Sequence, residues 1–347
     1  MTKCKAITIL TLLALGANAG LLQAQSLYFT GTETNEIWVA ETDGSGSPAV
    51  LFSNAGPDAC GPVGIDWDMS AGKLFWGTGN NDELWSGNAD GTGTPSSVYD
   101  PFEDSAEAHG VAVDGANGRV FFTRHWLGLW VGPADGSTHP TMLYGEDPVA
   151  VEYDPAADLV YFGGLDSLGI FVGAADGSGC RLLYLASEAR DIAIDPAGGM
   201  IYWVDLDSVW AAPIDGSGSP EVLFGDNGGK LRAIEIDSAT GTLFLGEFDT
   251  SVGDMIWTAN ADGSGSPTTL YSGDFGSIRG LAIPQPVCVG DLDSDGDTDH
   301  SDLGILLADW GCVGSGPEDC AGDLDGDFDT DHSDLGILLA DWGCGVA

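Results

Sequence analysis

Ile192-Ala193-Ile194-Asp195, then Ile201-Tyr202-Trp203-Val204-Asp205, then Ile214-Asp215-Gly216-Ser217-Gly218 read as an alternating strand, an aromatic strand and a tight turn. The closing tetrapeptide recurs as Asp43-Gly44-Ser45-Gly46, Asp90-Gly91-Thr92-Gly93, Asp135-Gly136-Ser137, Asp176-Gly177-Ser178-Gly179 and Asp262-Gly263-Ser264-Gly265, giving six copies 39 to 47 residues apart. Asp-Gly between β-rich runs is a hairpin signal, because glycine supplies positive φ at no steric cost. Self-similarity at this period marks a repeat architecture whose units pack on their neighbours.

Each turn lies between short strands, such as Ile37-Trp38-Val39 and Val50-Leu51-Phe52. An aromatic strand precedes them in every unit, from Leu27-Tyr28-Phe29 to Leu243-Phe244-Leu245, and an alternating strand comes before that in units two to six. Four strands per unit, repeated six times, predict an all-β six-bladed β-propeller over residues 26–285. The first unit lacks its leading strand and a spare one follows the sixth at Leu281-Ala282-Ile283. One blade is therefore expected to be shared by residues 26–52 and 280–284, which closes the ring and removes an exposed edge. The 192–218 stretch, with its Tyr202-Trp203-Val204-Asp205 tetrad, resembles the YWTD propeller of low-density-lipoprotein-receptor class B repeats. The resemblance covers residues 26–284 and implies the same architecture.

The chain has 347 residues, 10 of them basic and 54 acidic. Recognition of nucleic acid or an anionic membrane through a basic surface is excluded on charge, and cations are the natural partners. Residues 1–25 read as a signal peptide, with Lys3 and Lys5 before an apolar core and candidate cleavage sites at Ala17-Asn18-Ala19 and Leu22-Gln23-Ala24. Export to the cell surface or medium is expected. Nothing else approaches the ~18 apolar residues of a membrane span.

Residues 286–347 form a second expected domain. Thr298–Cys312 and Thr330–Cys344 are identical over 15 residues. The first copy carries Asp291, Asp293, Asp295, Asp297, Asp299 and Asp302 at alternating positions around Gly296, the spacing of a 12-residue EF-hand-type calcium loop. The second carries Asp323, Asp325, Asp327, Asp329, Asp331 and Asp334, with Phe328 at the glycine position; a weaker or distorted Ca2+ site is expected there. Leu303, Leu306, Leu307 and Trp310, repeated as Leu335, Leu338, Leu339 and Trp342, fall on one helix face. These loop–helix pairs resemble a type I dockerin, a small α-helical EF-hand-like module. The resemblance implies a cohesin-like partner and contact through His300, Ser301, His332 and Ser333. A calcium-stapled tail with no partner is the plain alternative. Cys288, Cys312, Cys320 and Cys344 allow three disulfide connectivities; apposed module ends favour Cys288 with Cys344 and Cys312 with Cys320.

Strand alternation puts the Asp-Gly turns on one propeller face and the blade-to-blade loops on the other, so Cys60 and Cys180 should lie apart and unpaired. Arg190, Arg232 and Arg279 hold equivalent positions at inner strands on the loop face, with His109 in the matching place of a fourth blade and Arg124, His125 and Trp126 in a neighbouring loop. This mouth is expected to meet a glycan or peptide ligand with an anionic or polar group. The alternative is that each arginine secures its loop or neutralises an acid such as Asp191 or Glu235. The two histidines, near Glu103, Asp104 and Glu107, could hold a metal or run acid–base chemistry, or form a solvated loop. Asp66, Glu152 and Glu235 recur in alternate inner strands, as a cation site or as acids bonded to neighbouring blades. No catalytic set stands out. The reading is a non-catalytic binding protein, with a secreted carbohydrate-active or lactone-hydrolysing enzyme as the alternative.

Overall fold

The computed structural model describes residues 25–56, 61–79, 83–99, 107–165, 169–225, 230–248, 253–284, 290–292, 298–314, 320–325 and 327–342. Within them, twenty-four strands form six four-stranded antiparallel sheets, the blades of a β-propeller. The inner strands are Ile278–Ala282 of blade 1, Pro62–Asp68, Ala108–Asp114, Ala150–Asp154, Asp191–Asp195 and Leu231–Asp237, and each packs beside the next around an axis. Blade 1 joins the two ends of the repeat array: Ile278–Ala282 pairs with Ser26–Gly31, with Phe29 opposite Leu281. The shared blade expected from the spare strand is thus present.

Packing between blades explains the strand chemistry. The second strand of each blade is buried on both faces, as in Ser26–Gly31 and Lys73–Thr78, so its sequence is a continuous apolar run rather than an alternating one. Aromatic residues pair across to the third strand: Phe29 with Trp38, Phe162 with Phe171 and Trp203 with Trp210 are stacked at ring separations of 6.0, 5.7 and 6.0 Å. Where inner strands crowd the axis, side chains must shrink. A Cβ on Gly64 would lie 2.3 Å from the His109 carbonyl oxygen, and one on Gly280 2.5 Å from that of Val63.

Each Asp-Gly turn is built as the repeat predicts. The aspartate Oδ1 accepts from the backbone N–H two residues on, for example Ser45 at 2.7 Å and Ser217 at 2.7 Å, and the glycines have φ between 68 and 84°. Outer-strand tyrosines add cross-blade stitches: the hydroxyls of Tyr99, Tyr184 and Tyr271 donate to the carbonyls of Pro133, Pro213 and Glu41 in the next blade.

The C-terminal residues contain two helices, α1 (His300–Ala308) and α2 (His332–Ala340). Asp299 and Asp331 cap them, each in a reciprocal capping box with Asp302 and Asp334. The duplicated units pack as a pseudo-symmetric pair: Trp310 meets His332 and Trp342 meets His300, both at 5.0 Å, while Asp309 and Asp341 accept from Thr330 and Thr298. Only Leu306 and Leu338 of the expected apolar stripe are fully buried; Leu307 and Leu339 are 53 and 54% exposed. A short helix with one partner helix has room to bury only one turn of its stripe. Cys312 and Cys320 form a disulfide. Cys180 is exposed and free, whereas Cys60, Cys288 and Cys344 lie outside the described residues.

Candidate functional site

Three consecutive blades bring Arg190, Arg232 and Arg279 to one side of the loop-face mouth. Their guanidiniums feel one another. Burial, then the charges of Arg190 and Arg279, push Arg232 down to about 10, with Glu188 opposing; burial likewise lowers Arg279, against the pull of Glu107 and Glu33. Arg232 remains cationic at neutral pH. Arg190 forms an ion pair with Glu188. Arg232 and Arg279 have no side-chain ion pair or hydrogen bond among the described residues, and the buried Nε of all three lacks an acceptor. The acid at Asp191, a neutralising partner on sequence grounds, points elsewhere: its Oδ2 accepts from the Ile234 N–H at 2.9 Å.

The opposite side of the mouth is blade 3. Glu107 and His109 flank Ala108 at the start of the inner strand, and the backbone N–H of His125 donates to the Glu107 carbonyl at 2.9 Å. His109 Nε2 lies 2.7 Å from Glu107 Oε2. That contact, opposed by burial and aided by the charges of His109, His125 and Arg279, holds the Glu107 carboxyl below the usual range. His125 approaches Asp147, from the loop entering blade 4, at 3.9 Å. Trp126 stacks on the His125 ring at 4.0 Å yet is 62% exposed. Its φ of 66° is unusual for a bulky residue, and its N–H donates to Asp147 Oδ1 at 2.5 Å, so a carboxylate pins an aromatic plate beside the mouth. Arg124 departs from expectation. It is 1% exposed, 4.7 Å over the Trp130 ring, and does not offer its guanidinium to solvent. Glu103 and Asp104 lie outside the described residues.

Along the axis below, Asp66, Glu152 and Glu235 occupy equivalent places, opposite Phe75, Tyr161 and Phe244 of their second strands. Asp66 reaches the next blade, accepting from Val113 N–H at 2.6 Å, and Glu235 accepts from Ile236 N–H. These contacts match acids bonded to backbone rather than a cation cage. Asp191 lines the axial cavity with Glu152, a place that sequence reasoning missed because glycine or alanine stands there in the other five blades. Burial pushes Asp66 up to about 7 and Asp191 to about 8, and Glu152 well above its ordinary value, helped by Glu235, Asp66 and Asp191.

A group with a raised folded-state pKa stabilises the fold fully below its unfolded pKa of ~4 and loses that contribution as pH rises to the folded value. Propeller stability is therefore expected to fall between pH 5 and pH 8. Glu152→Gln should raise the melting temperature at pH 8 by about 3 °C or more and change it little at pH 5; equal shifts at both pH values would contradict this.

In the second C-terminal loop, carboxylate oxygens of Asp323, Asp325 and Asp334 lie within 4.8 Å of one another, as do those of Asp329, Asp331 and Asp334. Desolvation and then neighbouring carboxylates raise Asp325 and Asp329, a crowding that a dication would relieve. Phe328 has a φ of 75°, the left-handed turn for which glycine is suited. Of the first loop, Asp291, Asp299 and Asp302 are described and Asp293, Asp295 and Asp297 are not. No described helix is long and apolar enough to cross a membrane.

No protein-family model and no curated protein matches the chain. Solved structures are similar in fold. A structure of a nidogen/laminin complex aligns with a TM-score of 0.64 at 16% identity, covering 75% of this chain and 98% of that one. TolB from Acinetobacter baumannii aligns at 0.58 and 13% identity, covering 75 and 66%. A gluconolactonase from Xanthomonas campestris aligns at 0.52 and 16%, covering 64 and 82%. At such identities the likeness extends to the propeller fold alone, which these neighbours use for different purposes.

Proposed function

We propose that the protein is a secreted, non-catalytic binding protein: the propeller mouth takes an anionic group of a glycan or peptide, and the C-terminal module, folded around Ca2+, docks onto an extracellular partner. The observation that carries the first half is the state of the arginines. In a chain with 54 acidic residues, two half-buried guanidiniums at one mouth have no carboxylate partner among the described residues, and a third leaves its Nε unused. A bound carboxylate or sulfate would satisfy donors and relieve mutual repulsion together. Trp126 supplies a flat apolar surface across the mouth from them, suited to a sugar ring. That the fold serves protein recognition in a nidogen/laminin complex fits a peptide ligand equally.

The docking half rests on the duplicated loops. Asp323, Asp325, Asp329, Asp331 and Asp334 supply the hard oxygen donors that calcium takes, and their first-loop counterparts would do the same. His300, Ser301, His332 and Ser333, with exposed Leu307 and Leu339 nearby, give two matching surfaces for a cohesin-like partner.

The test is binding to an array of acidic glycans and acidic peptides. Wild-type binding should weaken with added salt, and the combined Arg190→Gln, Arg232→Gln, Arg279→Gln variant should lose at least about tenfold in affinity. Lys73→Gln with Arg181→Gln is the control, since Arg119, also on the turn face, is tied into ion pairs with Asp114 and Asp158. A folded triple variant that binds like wild type would remove the mouth from consideration.

A further inference from the structure

We infer that Glu107, His109 and His125 form a binding site for a transition-metal dication at the blade 3 side of the mouth. One ligand atom from each lies within 4.8 Å of the others, so small side-chain adjustments bring all three to the ~2.0–2.2 Å that such a metal needs. The backbone fixes them in advance. Glu107 and His109 are two residues apart where the inner strand begins; His125 faces them across the hairpin, where Ala108 pairs with Arg124 and the His125 N–H bonds the Glu107 carbonyl. Ligands anchored on adjoining strand ends lose little freedom on binding.

The donor set selects the ion. Two imidazoles and one carboxylate favour zinc, iron or a similar borderline metal over calcium, which takes oxygen ligands. The side chains of His109, His125 and Glu107 are 12, 10 and 29% exposed, sheltered enough to hold a metal and open enough to admit one. Asp147, 3.9 Å from His125 and bonded to the Trp126 N–H, stands where it would orient the imidazole, the usual role of a carboxylate behind a metal-bound histidine. The remaining histidines, at 139, 300 and 332, lie in other parts of the chain. The site does not depend on anion recognition by the arginines, and its test reads metal alone.

The experiment titrates the full-length protein with Zn2+ in excess Ca2+, which saturates the aspartate loops, and follows the heat. One zinc should bind per chain. His109→Ala and Glu107→Gln should each weaken it at least about tenfold, while His300→Ala with His332→Ala, and Cys180→Ser, leave it unchanged. Because a buried His125 variant could misfold, the wild-type complex is also examined by X-ray absorption, where two imidazole ligands are expected. Absence of zinc binding in excess Ca2+, affinity retained in His109→Ala, or an all-oxygen shell would overturn the assignment.

Discussion

Chelating calcium from the full-length protein is expected to unfold its last 60 residues and leave the propeller folded. Six carboxylates within twelve residues repel one another without a cation, and the buried apolar contacts that oppose this are few, chiefly Leu306 and Leu338. Binding free energy therefore becomes folding free energy. With the disulfides reduced, excess chelator should abolish the circular-dichroism signal of α1 and α2 and shift the propeller transition by less than ~2 °C. Helical signal that persists in chelator would contradict calcium-coupled folding. Phe328→Gly refines the test, because relieving a left-handed φ at a non-glycine residue stabilises by about 1 kcal/mol. Calcium affinity of the second loop should rise roughly fivefold; an unchanged affinity would mean that the turn imposes no cost.

The second large effect lies at ring closure. Leu281 is buried among Leu27, Phe29, Ile278 and Ile283 on the strand that joins the chain ends. Leu281→Asp places an unpaired carboxylate there, at a cost of several kcal/mol, and should lower the propeller melting temperature by about 10 °C or yield insoluble protein. Leu185→Asp, at a position 75% exposed, should change it by under ~2 °C. Similar stability of the two variants would mean that residues 278–282 do not close the ring.

Features written in local sequence were legible. Asp-Gly turns need only their own residues and φ, so six copies give six hairpins. The spare strand at Leu281 showed how the ring closes because it repeats a pattern missing before Ser26. The helix after each Asp-rich loop was likewise legible, from the stripe of Leu303, Leu306, Leu307 and Trp310 and its repeat. What depended on neighbouring blades was harder to see. The equivalence of Arg190, Arg232 and Arg279 followed from the repeat, but spacing does not show that Arg190 pairs with Glu188 while Asp191 spends its carboxyl on a backbone N–H of the next blade. Asp147 sits 22 residues beyond His125 and meets it only once blades 3 and 4 are side by side. Arg124 looked like a mouth residue by position; its burial over Trp130 follows from a side-chain direction that loop spacing does not encode. The hydroxyl stitches of Tyr99, Tyr184 and Tyr271 were hidden for the same reason, since their acceptors belong to the following repeat.

The most direct measurement of the central claim is the side-chain Nε–Hε spectrum of the arginines during titration with the tightest anionic ligand from the array. If the mouth is the site, the resonances of Arg190, Arg232 and Arg279 shift in step with ligand occupancy and their exchange with water slows, while Arg119 and Arg181 stay in place. Saturation by ligand with the three mouth resonances unmoved would contradict the account.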